Sequence, residues 1–164
     1  MQYGQLKEAI VKILQKLQLP INEDVVNMIS EVACVESNCG DYIKQINGPA
    51  CGIFQIEPNT AKDILNNFLA FRTQYKNKVM STYINSMTLE ENLMYNLAFS
   101  VAMCRVFFLR ITESIPSTVE KRAEYWKKYY NTVYGKGTVE DYIRKVEKYA
   151  DHFAKDIALQ CAAA

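Results

Sequence analysis

Glu36 is the residue of this sequence best suited to acid–base chemistry. It closes the segment Ile29-Ser-Glu-Val-Ala-Cys-Val-Glu36, followed by Ser37. Val25, Ile29, Val32, Ala33 and Glu36 fall near one face of a helix predicted over 23–37. A helix C-terminus carries partial negative charge, which disfavours a carboxylate there, and apolar neighbours desolvate it. Both effects raise a carboxyl pKa. A carboxyl that keeps its proton near neutrality can protonate a leaving oxygen, as a general acid at a glycosidic bond must. A surface glutamate at a fraying helix end is the competing reading. Ser37 has no base near it in sequence, and the only histidine is His152. It therefore reads as a helix-end hydroxyl supporting Glu36 rather than as a nucleophile. Asp41 follows closely and reads as a solvated loop residue. Glu57, just before Pro58, is either a first-turn acid of the next helix or a second carboxylate for the same site.

The elements that must hold these residues are mostly helical. Leu6, Ile10, Ile13, Leu14 and Leu17 keep helical spacing ahead of Pro20. Asn22 can cap the helix that ends in Glu36, and Asn38 and Gly40 stop it. Residues 38–57 hold Gly40, Gly48, Pro49 and Gly52, with Ile53, Phe54 and Ile56 alternating, which predicts a loop with a short hairpin-like segment. Pro58 opens a third helix over about 58–72. The polar stretch 73–86 predicts another short helix with loops. Thr88-Leu-Glu-Glu91 has the capping-box pattern and opens a helix running to about Arg110. That helix is apolar on nearly every side from Leu97 to Leu109, as a buried central helix is. Ser117-Thr-Val-Glu120 repeats the capping signature and opens a helix that stops before Gly135. Thr138-Val-Glu-Asp141 opens the last. The expected fold is all-α, or α+β in the lysozyme-like sense: a bundle around a buried central helix, with a small loop or β-hairpin lobe at about 38–57.

The bulk numbers agree with one such domain. The 164 residues suit a single core, read here as 1–161 with the Ala162–Ala164 run set apart as a tail. Hydrophobic residues make up 49% and charged ones 23%, which excludes a disordered chain. A net charge of +1 gives no polyanion-binding stripe, so nucleic acid is not an expected partner. The longest apolar run, Leu97 to Leu109, is broken by Arg105 and is too short to span a membrane. The first residues lack the apolar core and cleavage site of a signal peptide, so synthesis in the cytosol without membrane insertion is expected. The five cysteines Cys34, Cys39, Cys51, Cys104 and Cys161 lack the paired spacing of zinc sites. They are expected as reduced, partly buried thiols, with neither metal nor cofactor.

A helix ending in Glu36-Ser37, then a loop, then Gly52-Ile53-Phe54-Gln55-Ile56 resembles the lytic transglycosylases and their lysozyme-like relatives. Two further stretches fit, Asn92-Leu-Met-Tyr-Asn96-Leu and Tyr129-Tyr130-Asn131-Thr132 ahead of Gly135. The match covers about residues 25–137 discontinuously and lacks the family's Ala-Tyr-Asn-Ala-Gly string. Gly48-Pro-Ala-Cys-Gly-Ile-Phe-Gln55 and Tyr125-Trp-Lys-Lys-Tyr-Tyr-Asn131 look most like the transglycosylase-like proteins of tailed phages. The resemblance implies Glu36 as catalytic acid/base on peptidoglycan glycan strands. It implies Ser37, Gly52, Ile53, Phe54 and Gln55 lining the sugar cleft, with Gln55 offering its amide to N-acetyl groups. Tyr130 would stack or hydrogen-bond near Glu36, and Asn131 would fix the floor. The Tyr125–Tyr130 run itself reads as an amphipathic packing face, with a sugar platform as the competing reading.

The second carboxylate decides the reaction. Glycosidases normally use two carboxyl groups. Hen-type lysozymes carry an Asp where this chain has Ala50, and goose-type ones an Asp where it has Glu57. Transglycosylases use one glutamate, with the substrate's N-acetyl group assisting, and leave a 1,6-anhydro sugar. Ala50 favours that route; Glu57 or Asp41 keeps a hydrolytic muramidase open. A non-catalytic virion or wall-binding module on the same scaffold is the reading from another class. A protein made in the cytosol would reach the wall through a membrane lesion or aboard a phage particle, with other virion proteins as partners.

Overall fold

The computed structural model describes residues 1–132 and 135–162, with side chains through residue 150. Helices dominate, and no strand forms among the described residues. The helices are α1 (Tyr3–Lys16), α2 (Glu23–Ser37), α3 (Pro58–Asp63), α4 (Thr73–Met80), α5 (Leu89–Tyr95), α6 (Leu97–Leu109), α7 (Val119–Trp126) and α8 (Val139–Ala162). The last includes Ala162 of the expected tail; Ala163 and Ala164, like the side chains of His152 and Cys161, lie outside the described residues.

α2 forms where its caps predict. Asn22 accepts from Val25 N at 2.9 Å, and Glu23 and Asp24 sit in the first turn, where the helix dipole favours them. Its end is sharp. Asn38, Cys39 and Gly40 all take positive φ, at 52°, 58° and 88°. Asparagine and glycine tolerate this; Cys39 is strained by it. The chain thus reverses directly after Glu36 and Ser37.

α2 packs against α1, α6 and α8, and α6 packs against α1, α2, α4 and α5. Two helices, not one, therefore form the buried centre. Met28, Ile29 and Val32 of α2 and Phe99, Val101 and Met103 of α6 are wholly inaccessible. Each such side chain contributes roughly 1.5–3 kcal/mol of burial. Arg105 is buried within α6 because its Nε donates to Pro20 O at 2.7 Å.

Three expectations need correction. The helix from Thr88 does not run to Arg110: α5 and α6 meet at 101° about Asn96. Asn96 ends α5 and caps α6, its Oδ1 accepting from Phe99 N at 3.1 Å and its Nδ2 donating to Thr82 O at 2.6 Å. Its side chain outcompetes the helical backbone. The third helix stops at Asp63 and passes into a π turn, Ile64–Phe68, and Thr118 rather than Ser117 caps α7. α7 in turn widens into a π turn at Lys127–Asn131, where Tyr130 and Asn131 stand. The 38–57 lobe is a loop held by two isolated antiparallel bridges that share Cys51, Lys44–Cys51 and Cys51–Ile56.

Candidate active site

Glu36 stands at the C-terminal end of α2 and lines a groove of about 830 Å³. The lobe forms one wall through Tyr42, Gln45, Ile46 and Ala50. The other comes from Trp126, Gly137 and the start of α8, with Asp141, Arg144 and Lys145. A second cavity of about 570 Å³ shares Gln55, Glu57, Tyr130 and Asn131 with it. The two are arms of one groove, each in the size range of small-molecule sites.

The Glu36 carboxyl accepts a hydrogen bond from Trp126 Nε1 at 2.8 Å through Oε1. Oε2 has no protein partner among the described residues. Burial pushes the carboxyl up from 4.5 to about 7, while the Trp126 hydrogen bond and the Lys145 charge pull it partly back. The helix terminus matters less than expected, because its negative pole is already met. Tyr42 Oη donates to Glu36 O at 2.7 Å, and Lys145 Nζ donates to Val35 O at 2.6 Å. Desolvation is therefore what keeps the proton on Glu36.

Trp126 is the residue that sequence reasoning missed: it sits in the Tyr125–Tyr130 run taken as a packing face. Its ring is buried, and only its N–H reaches the site. Gly137 permits this. A Cβ there would lie 2.5 Å from Trp126 Cη2, so any side chain would push the indole aside.

Replacing Trp126 with Phe removes a donor that favours the ionised carboxyl. The Glu36 pKa should then rise above 7, by about 0.5–1 unit for one hydrogen bond. The alkaline limb of any Glu36-dependent activity should move to higher pH; a shift to lower pH would contradict the assigned hydrogen bond.

The other predicted residues divide. Gln55, Tyr130 and Asn131 line both arms, as does Glu57, whose exposed carboxylate has no partner among the described residues. Ser37, Gly52, Ile53 and Phe54 are buried behind the wall rather than exposed to a ligand, because they attach the lobe to the helices. Ser37 Oγ donates to Ile53 O at 2.6 Å and accepts from Gly40 N at 2.9 Å. Gly52, at φ 76°, lies so close to α5 that a Cβ would meet Leu93 O at 1.9 Å. These contacts hold Gln55, itself at φ 48°, at the junction of the two arms, with its Nε2 donating to Gly52 O at 2.8 Å. The Tyr130 hydroxyl donates to Phe54 O at 2.7 Å and its ring packs on Phe107 and Phe108, so it clamps the same segment at the groove wall. Asn131 is braced by Lys127, whose Nζ donates to Asn131 Oδ1 at 2.7 Å and to Gly135 O at 2.8 Å. Asp41 is exposed and outside both arms. Asn92 and Asn96 brace backbone: Asn92 Oδ1 accepts from Ile84 N and its Nδ2 donates to Ile84 O and Thr88 O. Among the described residues Cys34, Cys39, Cys51 and Cys104 are free, buried thiols.

No family model, curated protein or solved structure matches this chain. The functional reading therefore rests on the site itself and on the motif resemblance.

Proposed function

We propose that this chain cuts the β-1,4 bond between N-acetylmuramic acid and N-acetylglucosamine in peptidoglycan, as a lytic transglycosylase with Glu36 as acid and then base. The observation that carries the reading is one half-buried carboxyl, raised by desolvation to about 7, in the wall of a two-armed groove. Glu36 donates its proton to the glycosidic oxygen as the muramic C1–O bond breaks, and the substrate's N-acetyl oxygen takes up C1. The Glu36 carboxylate then removes the C6 hydroxyl proton, O6 closes on C1 as the bond from C1 to the N-acetyl oxygen breaks, and the 1,6-anhydro ring forms without water. Trp126 holds the carboxylate formed between the two steps. Gln55 and Asn131 present amide groups where the sugars' N-acetyl groups would run. Action at the bacterial wall, on release or as part of a phage particle, belongs to the same proposal.

One observation keeps hydrolysis as a second reading: Glu57 lines both arms with no side-chain partner among the described residues. The mass of the fragments released from purified peptidoglycan separates the two. Anhydro-muropeptides are expected. Fragments heavier by one water would replace the transglycosylase with a muramidase using Glu57, and strands bound but left whole would replace both with a wall-binding module.

A further inference from the structure

Two thiols meet where α2 ends. Cys34 lies in the last turn of that helix and Cys39 in the reversal after it, and both are wholly buried. Their sulfurs are 2.8 Å apart, against the ~2.05 Å of an S–S bond. The backbone holds the pair in this register. Cys39 N donates to Ala33 O at 3.0 Å, and Asn38 N donates to Cys34 O at 3.1 Å. Cys39 takes its φ of 58° here, a conformation that costs a cysteine strain. The two sulfurs are not equivalent. Cys39 stands in the wall of a cavity of about 200 Å³ between the lobe and the α5–α6 corner, a cavity that the exposed Tyr95 also lines; Cys34 is not part of that wall. The hydrogen bond from Cys34 also holds the Cys39 thiol below its ordinary range, while the same bond and burial push Cys34 up. Cys39 is thus the sulfur placed to react first, with Cys34 in position to resolve it.

We propose that Cys34 and Cys39 are a peroxide-reactive dithiol that closes to a disulfide across Glu36 and Ser37. The Cys39 thiolate attacks one oxygen of hydrogen peroxide, the O–O bond breaks, and hydroxide leaves from a Cys39 sulfenic acid. The Cys34 sulfur then bonds to Cys39 Sγ as its own proton and the sulfenic oxygen depart as water. The hydroxide takes the proton that Cys39 first gave up. Two thiols are oxidised to one disulfide, and the peroxide is reduced to two waters. Burial of both sulfurs selects a small, neutral oxidant over a bulky disulfide. The bond would fix covalently the reversal that hydrogen bonds hold in the reduced chain, at the end of α2 that carries Glu36. This chemistry does not rest on the glycosidase reading.

Peptide mass spectrometry on the full chain tests it. The tryptic peptide 17–44 holds Cys34 and Cys39 and no other cysteine. The folded protein would be exposed to hydrogen peroxide, quenched, denatured and alkylated with N-ethylmaleimide. That peptide is expected without alkyl groups and lighter by two hydrogens, and dithiothreitol should restore both alkylation sites. Cys34→Ser should stop the reaction at a Cys39 sulfenic acid that dimedone captures, whereas Cys39→Ser should give no dimedone adduct at Cys34. The linked protein should melt roughly 5 °C above the reduced one. A peptide still alkylated at both cysteines, a dimedone adduct on Cys34, or a linked form that melts lower would overturn the inference. The alkylation readout needs no variant, so it stands even where a serine variant fails to fold.

Discussion

Glu36→Gln should lower peptidoglycan cleavage by about 10²–10⁴-fold, the usual worth of a positioned general acid. Glutamine keeps the shape and can still accept from Trp126 Nε1, but it has no proton to transfer. The loss should appear in kcat rather than in strand binding, because the groove walls are unchanged. Misfolding can be separated from lost chemistry by the sign of the stability change. The folded protein holds the Glu36 proton up to about pH 7, whereas the unfolded chain releases it near 4.5. As pH rises through that window the wild type therefore loses stability, by roughly 3–4 kcal/mol in total. The glutamine variant has no such slope. It should melt at or above the wild-type temperature at pH 8, with the difference closing by pH 4. An inactive variant that also melts lower at pH 8 would place Glu36 in a structural role.

The second large effect concerns the frame of the site. Glu31 and Arg122 are both buried and form a two-pronged ion pair. Arg122 Nε reaches Glu31 Oε2 at 2.7 Å and Nη2 reaches Oε1 at 2.6 Å; Tyr142 Oη also donates to Oε2 at 2.8 Å. These groups join α2, α7 and α8, the helices that carry Glu36, Trp126 and Lys145. Arg122→Met strands a buried carboxylate and should cost about 3–5 kcal/mol. For a chain of this size that lowers the melting temperature by roughly 10 °C. Pairing Arg122→Met with Glu31→Leu removes the stranded charge and should recover most of the loss. If the single variant melts within about 2 °C of the wild type, the clamp is not holding these helices.

Local signals in the chain were enough to place Glu36. An asparagine cap, an apolar helical face and an Asn-Cys-Gly stop all lie within 19 residues of one another, and each acts over a single turn. The same holds for Pro58 and for the capping box at Thr88, which forms in full. The α5–α6 break was hidden because its cause is remote: Asn96 bends the chain by reaching Thr82, 14 residues away. Trp126 was hidden for the same reason. Its contact with Glu36 spans 90 residues, and nothing near Trp126 distinguishes it from the buried Tyr125 beside it. The Gly52–Phe54 motif falls in the segment beside the groove, but its side chains are buried behind the wall. A motif identifies which residues are constrained, not whether they face a ligand or, as Ser37 and Ile53 do, each other across the back of the wall.

The account depends on the proton that burial keeps on one side chain. The most direct measurement is an NMR titration of the Glu36 carboxyl carbon, assigned by comparison with Glu36→Gln. A midpoint close to 7 is predicted, above the ~4.3 of a free glutamate. A midpoint at the free value would mean that position 36 is an ordinary solvated carboxylate, and the general acid on which the proposed reaction depends would be gone.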